Sequence, residues 1–562
     1  MMKKKNQIFL YTVVLFVISA ALRIYGINGL TEYYTSDHPQ QVMQAINVFE
    51  NRSFFSYSIP KNIFAGIFSF PYGLGTIVFL YFWVFLHHLL HLPVLEWTMT
   101  LYGSLIGTAW VIGMFFLLKE LISERTAFLS SVLCAIDPYL IAQCRDLGRF
   151  HIILALALGI WTLYFFIKYY KYGSRRTAII SSIFLALFIG SSNMFYNMIP
   201  VILFAGFIIF FQQNHNFKKS FNDLTKYICK FEILFLPCMI LLIYFCAFIY
   251  TIVNHLNLDA CFLGKPLAKA KVFGFYFLNL SEYYISNSGF IIFSIFFIGF
   301  IFGLTRFIKF KNEGILFFMA LIYTWPFLFF VPAYATAVRV YIMESEIMWG
   351  ILGIIAILEY PYLFPGKTKL KQVISYSIYS LIIITTFIIT IGSVYNNPVF
   401  NYLNFGKDKE SCGIMPYNPV GIKSVGYYVR TYIPGSKKIF SDMEPMVSNY
   451  YLGENTVFAR YEADTAENIV YLKQIAHKID YATFFYKDRA LYEPVLKESG
   501  ISYNILQVNY DGKPLRCLYS RFKKPLLITD NNRFNILFDQ TYAKMRKLIT
   551  VKIDWPAENM PQ

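Results

Sequence analysis

Twelve apolar runs, each roughly 15 to 26 residues long and separated by short basic clusters, constrain this chain more than any single motif. They fall near residues 8–27, 72–90, 97–118, 126–143, 150–170, 177–191, 195–211, 228–253, 289–305, 314–331, 339–358 and 371–395. A helix rises 1.5 Å per residue, so about 20 apolar residues cross a hydrocarbon core about 30 Å thick. The pattern reads as a polytopic α-helical membrane protein. Of 562 residues only 15% are charged, where a soluble domain carries roughly 25%. The net charge of +17 would suit nucleic acid if it covered a soluble surface. Many of the Lys and Arg residues instead lie between apolar runs, as membrane topology requires.

Those basic clusters orient the runs. Lys119 with Arg125, Lys168 to Arg176, Lys218 to Lys230, Arg306 to Lys311, and Lys367 to Lys371 are expected in the cytoplasm. The first run follows MMKKK and exceeds a signal peptide's apolar core, so it reads as an uncleaved helix with its N-terminus cytoplasmic. The run at 97–118 must re-enter the cytoplasm to deliver Lys119. Residues 60–90 are therefore expected to lie along the outer leaflet, which FSFPYGLG and His87, His88 and His91 suit. The result is about 11 transmembrane helices, a first outer loop at 29–96, and a multi-pass location in the plasma (inner) membrane.

From about Asn396 the pattern changes. Short alternating strands (KKIFS, YATFFY, YNILQV, RCLYSRF) mix with helical stretches at Pro419–Thr431 and Ala466–Lys478. Residues 1–395 are expected to form the transmembrane domain and 396–562 an extracytoplasmic mixed α/β domain. The eight Cys residues show no CxxC pair. Cys412 and Cys517 both lie in the soluble part and are candidates for a disulfide.

Four places concentrate polar chemistry at outer ends of runs. Asp37 and His38 stand in TSDHPQQVMQAINVFENRSFF, soon after the first run. A carboxylate beside the head groups can serve as a general base, and Asp37 can equally cap the following helix. Asp137-Pro138 and Gln143 to His151 include Arg145, Asp146 and Arg149. Guanidinium groups there fit phosphate oxygens, or Arg145 and Asp146 pair structurally. Arg339, Tyr341, Glu344 and Glu346 enter a late run, where Arg339 can also snorkel. Lys265, Lys269 and Lys271 lie in a loop that suits either an anionic lid or plain solvent exposure. Asp37, His38 and Asp146 could share a divalent cation, but no spacing demands a metal.

Taken in order, these segments resemble the GT-C glycosyltransferases, in particular the protein O-mannosyltransferases and the lipid A aminoarabinose transferase. TSDHPQQVMQAINVFENRSF is similar to their acidic first outer loop, with His38 where Glu is commonest. FSFPYGLG is similar to their juxtamembrane helix, AIDPYLIAQCRDLGRFHIILAL to their second outer loop, and AVRVYIMESEIMWGIL to a late helix start. The resemblance implies transfer of a sugar from a polyprenyl-phosphate donor to an extracytoplasmic protein, lipid or glycan, with inversion. It implies Asp37 as base and Arg149, Arg145 and Arg339 around the donor phosphate. His38, Asp146, Tyr341, Glu344, Lys265 and Lys269 are candidate supporting residues. Rival readings are a lipid or sugar flippase, whose charges would sit near the bilayer midplane, and a non-catalytic membrane subunit.

Overall fold

The computed structural model describes residues 2–25, 74–90, 96–145, 150–191, 195–253, 295–329, 335–363, 368–391, 437–443, 456–459, 465–510, 513–522 and 526–528, with isolated positions between 422 and 452. The helices are α1 (Met2–Ile24), α2 (Leu74–Leu89), α3 (Glu96–Leu121), α4 (Glu124–Ile136), α5 (Pro138–Arg145), α6 (Phe150–Tyr172) and α7 (Arg175–Ser191). Then follow α8 (Phe195–Asn214), α9 (Phe217–Ile228), α10 (Phe231–Val253), α11 (Ile295–Ile308), α12 (Glu313–Phe329), α13 (Ala335–Leu363) and α14 (Thr368–Thr390). Among the described residues, five helices are long and apolar enough to cross a membrane, or six if the bent pair α9–α10 counts as one. Several others are shorter apolar helices, α2 and α11 among them.

Side-chain contacts give the bundle two distinct ends. At the first, Lys171 pairs with Glu120 across 3.6 Å and Arg175 with Glu232 across 3.3 Å. Arg306 reaches Glu359 at 2.9 Å, Arg125 lies over the Tyr376 ring, and Lys371 lies over that of Tyr360. The start of α4, α7, α10 and α14 and the end of α3, α6, α11 and α13 therefore share this basic end. The apolar stripes between are fitted by small residues. A Cβ on Gly299 would stand 2.5 Å from the Trp349 carbonyl, and one on Gly353 would stand 2.4 Å from that of Ile295. Glycine at both positions lets α11 and α13 approach backbone to backbone.

One apolar run divides where the sequence reads it whole, and a helix precedes another where the sequence reads only a basic cluster. The run at 126–143 breaks between α4 and α5, because Asp137 accepts from the Leu140 backbone N–H at 2.8 Å and caps a helix opened by Pro138. The start of the run at 228–253 is preceded by a separate amphipathic helix, α9, which meets α10 at 64°. Ser220 and Leu224 of α9 are buried, while Lys218, Lys219 and Lys226 are exposed.

The far part of the chain builds a six-stranded sheet in the order β2-β1-β3-β5-β4-β6. Its strands are β1 (Lys438–Ser441), β2 (Thr456–Phe458), β3 (Tyr481–Phe485), β4 (Tyr503–Tyr510), β5 (Lys513–Ser520) and β6 (Leu526–Ile528). β1 runs parallel to both β2 and β3, whereas β5 pairs antiparallel with β3 and β4. Alternation along the strands sends Phe440, Ala482, Phe484, Cys517 and Tyr519 to one face. There they pack with Leu472 of α15 (Thr465–Ile475) and with Tyr492, Val495 and Leu496 of α16 (Arg489–Glu498). Cys517 is a buried free thiol, its Sγ 3.6 Å from the Phe484 carbonyl oxygen. Cys412 lies outside the described residues.

Candidate functional site

The end of the bundle opposite the basic clusters is organised around Arg23, the penultimate residue of α1. The side chain is fully buried, where an ionised group is tolerated only when hydrogen-bonded. Its Nη1 donates to Ser19 Oγ at 2.8 Å, to the Ser19 carbonyl at 3.2 Å and to the Ala135 carbonyl at 3.0 Å. Its Nη2 reaches the Cys134 carbonyl at 3.3 Å. Cys134 and Ala135 belong to the last turn of α4, whose carbonyls have no helical partner and carry the negative end of the helix dipole. The guanidinium thus caps α4 and ties it to α1.

The neighbouring helices close on the same point. Ser104 Oγ of α3 donates to the Arg23 carbonyl at 3.2 Å, and Thr390 Oγ1 of α14 donates to that of Ile136 at 2.6 Å. A Cβ on Gly107 would stand 2.1 Å from Cys144 Sγ, and one on Gly103 would stand 2.8 Å from the Cys144 carbonyl. The Gly103–Gly107 stripe therefore lets α5 lie directly on α3. Arg23, Ser104 and Gly107 were not singled out from the sequence. An arginine near the end of an apolar run reads as snorkelling, and nothing local distinguishes it from one turned inward to cap another helix.

Helix α2 lies across this same end. Thr76 Oγ1 donates to the carbonyl of Ser191, the last residue of α7, at 3.0 Å. Three residues on, within one turn of helix, the Phe79 carbonyl accepts from Tyr102 Oη at 3.1 Å. The Tyr102 ring stacks on Trp83 at 4.4 Å and on Phe150, the first residue of α6, at 5.0 Å. All of these partners lie at or near the ends of α3, α6 and α7 away from Lys119, Lys171 and Arg175. α2 is thus held by one end of three neighbouring helices.

The segments singled out by sequence leave from this end. α1 finishes here and leads towards Asp37 and His38. α5 finishes at Arg145 and leads into Asp146 and Arg149, the latter immediately before Phe150. α13 starts with Arg339, Tyr341 and Glu344 on its backbone, and its far end carries Glu359 among the basic groups. Its start is therefore at the Arg23 end, in keeping with the contact between Gly350 of α13 and Leu133 of α4. Asp37, His38, Asp146, Arg149, Lys265 and Lys269, with the side chains of Arg145, Arg339, Tyr341 and Glu344, lie outside the described residues. Among the described residues no three His, Cys, Asp or Glu side chains converge as a metal site.

No protein-family model matches the chain, and no curated protein sequence matches it. Solved structures do match in fold. The oligosaccharyltransferase of Archaeoglobus fulgidus in its apo form aligns with a TM-score of 0.55 at 12% identity, over 93% of this chain and 76% of that one. The same protein in complex with an inhibitory peptide and a dolichol-phosphate aligns at 0.53 and 12% identity, over 89% and 73%. ArnT of Cupriavidus metallidurans aligns at 0.52 and 11% identity, over 90% of this chain and 97% of that one. Both proteins are GT-C membrane glycosyltransferases, and this chain has their fold.

Proposed function

We propose that this protein is a membrane glycosyltransferase that moves a sugar from a polyprenyl-phosphate donor to an extracytoplasmic acceptor, with Asp37 as its general base. The observation that carries this reading is geometric. Three separated segments bearing Asp37, Arg145 to Arg149, and Arg339 to Glu344 leave helices at one end of the bundle, the end opposite the basic clusters. By the positive-inside rule that end is extracytoplasmic. The archaeal neighbour's complexes, one with dolichol-phosphate and an inhibitory peptide and another with a tethered acceptor peptide, support a lipid phosphate and an acceptor meeting on such a fold.

In the proposed reaction the acceptor oxygen attacks C1 of the sugar while Asp37 takes its proton. The C1–O bond to phosphate breaks, and polyprenyl phosphate leaves with the electron pair. One displacement inverts the anomeric centre. Arg149, supported by Arg145 and Arg339, balances the phosphate charge as it grows, which preorganised guanidinium groups do without further reorganisation. Lys265 and Lys269 fit the head-group side of the donor, and His38, Asp146, Tyr341 and Glu344 support the cavity. A divalent cation is compatible with this step, and an A. fulgidus structure of this fold carries zinc.

The domain assignment follows the same reading: a transmembrane body over 1–395 with 11 spans, α2 lying outside them, and an extracytoplasmic domain over 396–562. The test is transfer from a radiolabelled panel of polyprenyl-phosphate hexoses and pentoses, in membranes carrying wild type or Asp37→Asn. A loss of at least about a hundredfold is expected, the lower end of a general base's usual share. Equal transfer by both would move the base to Asp146 or Glu344. No transfer by either, from any donor, would return the chain to a non-catalytic role.

A further inference from the structure

The C-terminal sheet holds a second polar centre, independent of the membrane site. β2 flanks β1 on one side and β3 on the other, so the sheet changes its direction of growth between β1 and β3. Beyond the C-terminal ends of parallel strands, such a switch point leaves a crevice in which open α/β sheets bind ligands. Asp442 is the first residue past β1. Arg516 of β5 stands opposite Phe485, the last residue of β3. Both flank the switch point.

Asp442 fixes the guanidinium from two sides. Its Oδ1 accepts from Arg516 Nη1 at 2.7 Å, and its Oδ2 accepts from the Phe485 backbone N–H at 2.9 Å. The guanidinium carbon lies 4.3 Å from the centre of the Phe485 ring. The Arg516 side chain is 0% exposed and that of Asp442 is 6% exposed. Yet among the described residues Arg516 Nε and Nη2 donate to no acceptor. These two nitrogens share one edge of the planar group and point their hydrogens the same way, a two-donor fork that matches two oxygens of one anion. Thr483, two residues before Phe485 and so on the same face, is also fully buried, and its hydroxyl has no partner among the described residues.

A buried ion pair is costly to assemble, and leaving three of the five N–H donors of its cation unbonded is costlier still. Such an edge is explained by water or by ligand oxygens. We propose that the Nε–Nη2 edge of Arg516 anchors the carboxylate of a monoanionic ligand. Asp442 and Asp488 stand beside Arg516 and Lys487, so a singly charged oxyanion meets less repulsion here than a dianionic phosphate. Burial also raises the Asp488 carboxyl above its usual range, which favours the proton it would share with an incoming oxyanion. The partly exposed Phe485 and the exposed Lys487, whose Nζ lies 5.8 Å from the Phe485 ring, form the rim.

The test is isothermal titration of the full chain in nanodiscs with glucuronate, glucose and inorganic phosphate. Wild type is expected to bind glucuronate saturably, phosphate more weakly and glucose not at all. Arg516→Lys, which keeps the charge but loses the fork, is expected to weaken glucuronate at least tenfold. Thr483→Val, a smaller change, should weaken it in the same direction. No glucuronate binding, equal binding by wild type and Arg516→Lys, or a preference for phosphate would each overturn the proposal. If Arg516→Lys fails to fold, an experimental map of wild type with saturating glucuronate decides. Carboxylate oxygens on the edge support the site, and an ordered water there instead overturns it.

Discussion

Arg23 Nη1 donates to the Ala135 carbonyl at 3.0 Å, across 112 positions of sequence, and so joins the outgoing end of the first helix to the outgoing end of α4. Two of the three motif-bearing segments begin just past this contact. Asp37 lies 14 residues beyond Arg23, and Arg145 lies ten beyond Ala135. One buried guanidinium therefore fixes the ends of α1 and α4 to each other.

Removing that guanidinium should be felt in stability and in transfer. Arg23→Met leaves the Cys134 and Ala135 carbonyls buried without their donor, at about 1–3 kcal/mol for each. A clear fall in the thermal unfolding midpoint in detergent is expected, with partial recovery in Arg23→Lys. An unchanged midpoint would show that the carbonyls find other donors.

The close approach of α11 and α13 predicts a second effect. Gly353→Val would force a side chain into the Ile295 carbonyl, which already stands 2.4 Å from the position of a Cβ. The variant is expected to lose about 1–3 kcal/mol, as overpacked sites do, and, on the function proposed above, to transfer poorly because α13 carries Arg339. Normal stability and normal transfer together would contradict the packing described.

In the C-terminal sheet, Asp442→Asn removes the charge partner of a fully buried Arg516. Breaking a buried pair from one side costs about 3–5 kcal/mol, so the domain should unfold well before wild type in a chemical denaturation series. A loss below about 1 kcal/mol would mean that solvent reaches the guanidinium in solution.

Asp488 predicts a pH dependence. Burial raises its carboxyl above the ordinary 3.8, and Asp442 adds to the rise, against Lys487 and Arg516. The folded state therefore holds that proton more tightly than the unfolded chain, and the ionised form costs stability at neutral pH. That cost is relieved as pH falls through the folded value and is gone below about 3.8. Asp488→Asn should therefore stabilise the protein near pH 7, by no more than about 1 kcal/mol because the group is part-exposed and screened. The gain should shrink steadily to nothing near pH 4. A gain constant over that range would point to packing rather than charge.

Much of the architecture was legible because membranes punish ambiguity. An apolar run long enough to span and a basic cluster at one end are local properties, and α3, α6, α8, α10, α13 and α14 fall on the runs that predicted them. Strands β1, β3, β4 and β5 fall on KKIFS, YATFFY, YNILQV and RCLYSRF for a similar reason, since alternation is local too. The break at Asp137-Pro138 was visible as residues, but its consequence was not. A capped Pro start reads as a turn only once hydrophobic continuity is set aside.

The chemistry divides the same way. Residue type alone nominated Asp37, Arg149 and Arg339, because a charge at the end of an apolar run is conspicuous without any knowledge of its neighbours. Tertiary structure decided that the helices leading to those segments open at one end of the bundle. It also decided that Arg23 caps α4 rather than reaching for water, and that Arg516 keeps one donor edge unbonded among the described residues. Hydropathy is a sum over neighbours in sequence, so the chain carries it openly. Hydrogen bonds such as Arg23 to Ala135 join residues far apart, and they exist only once packing has brought the two together.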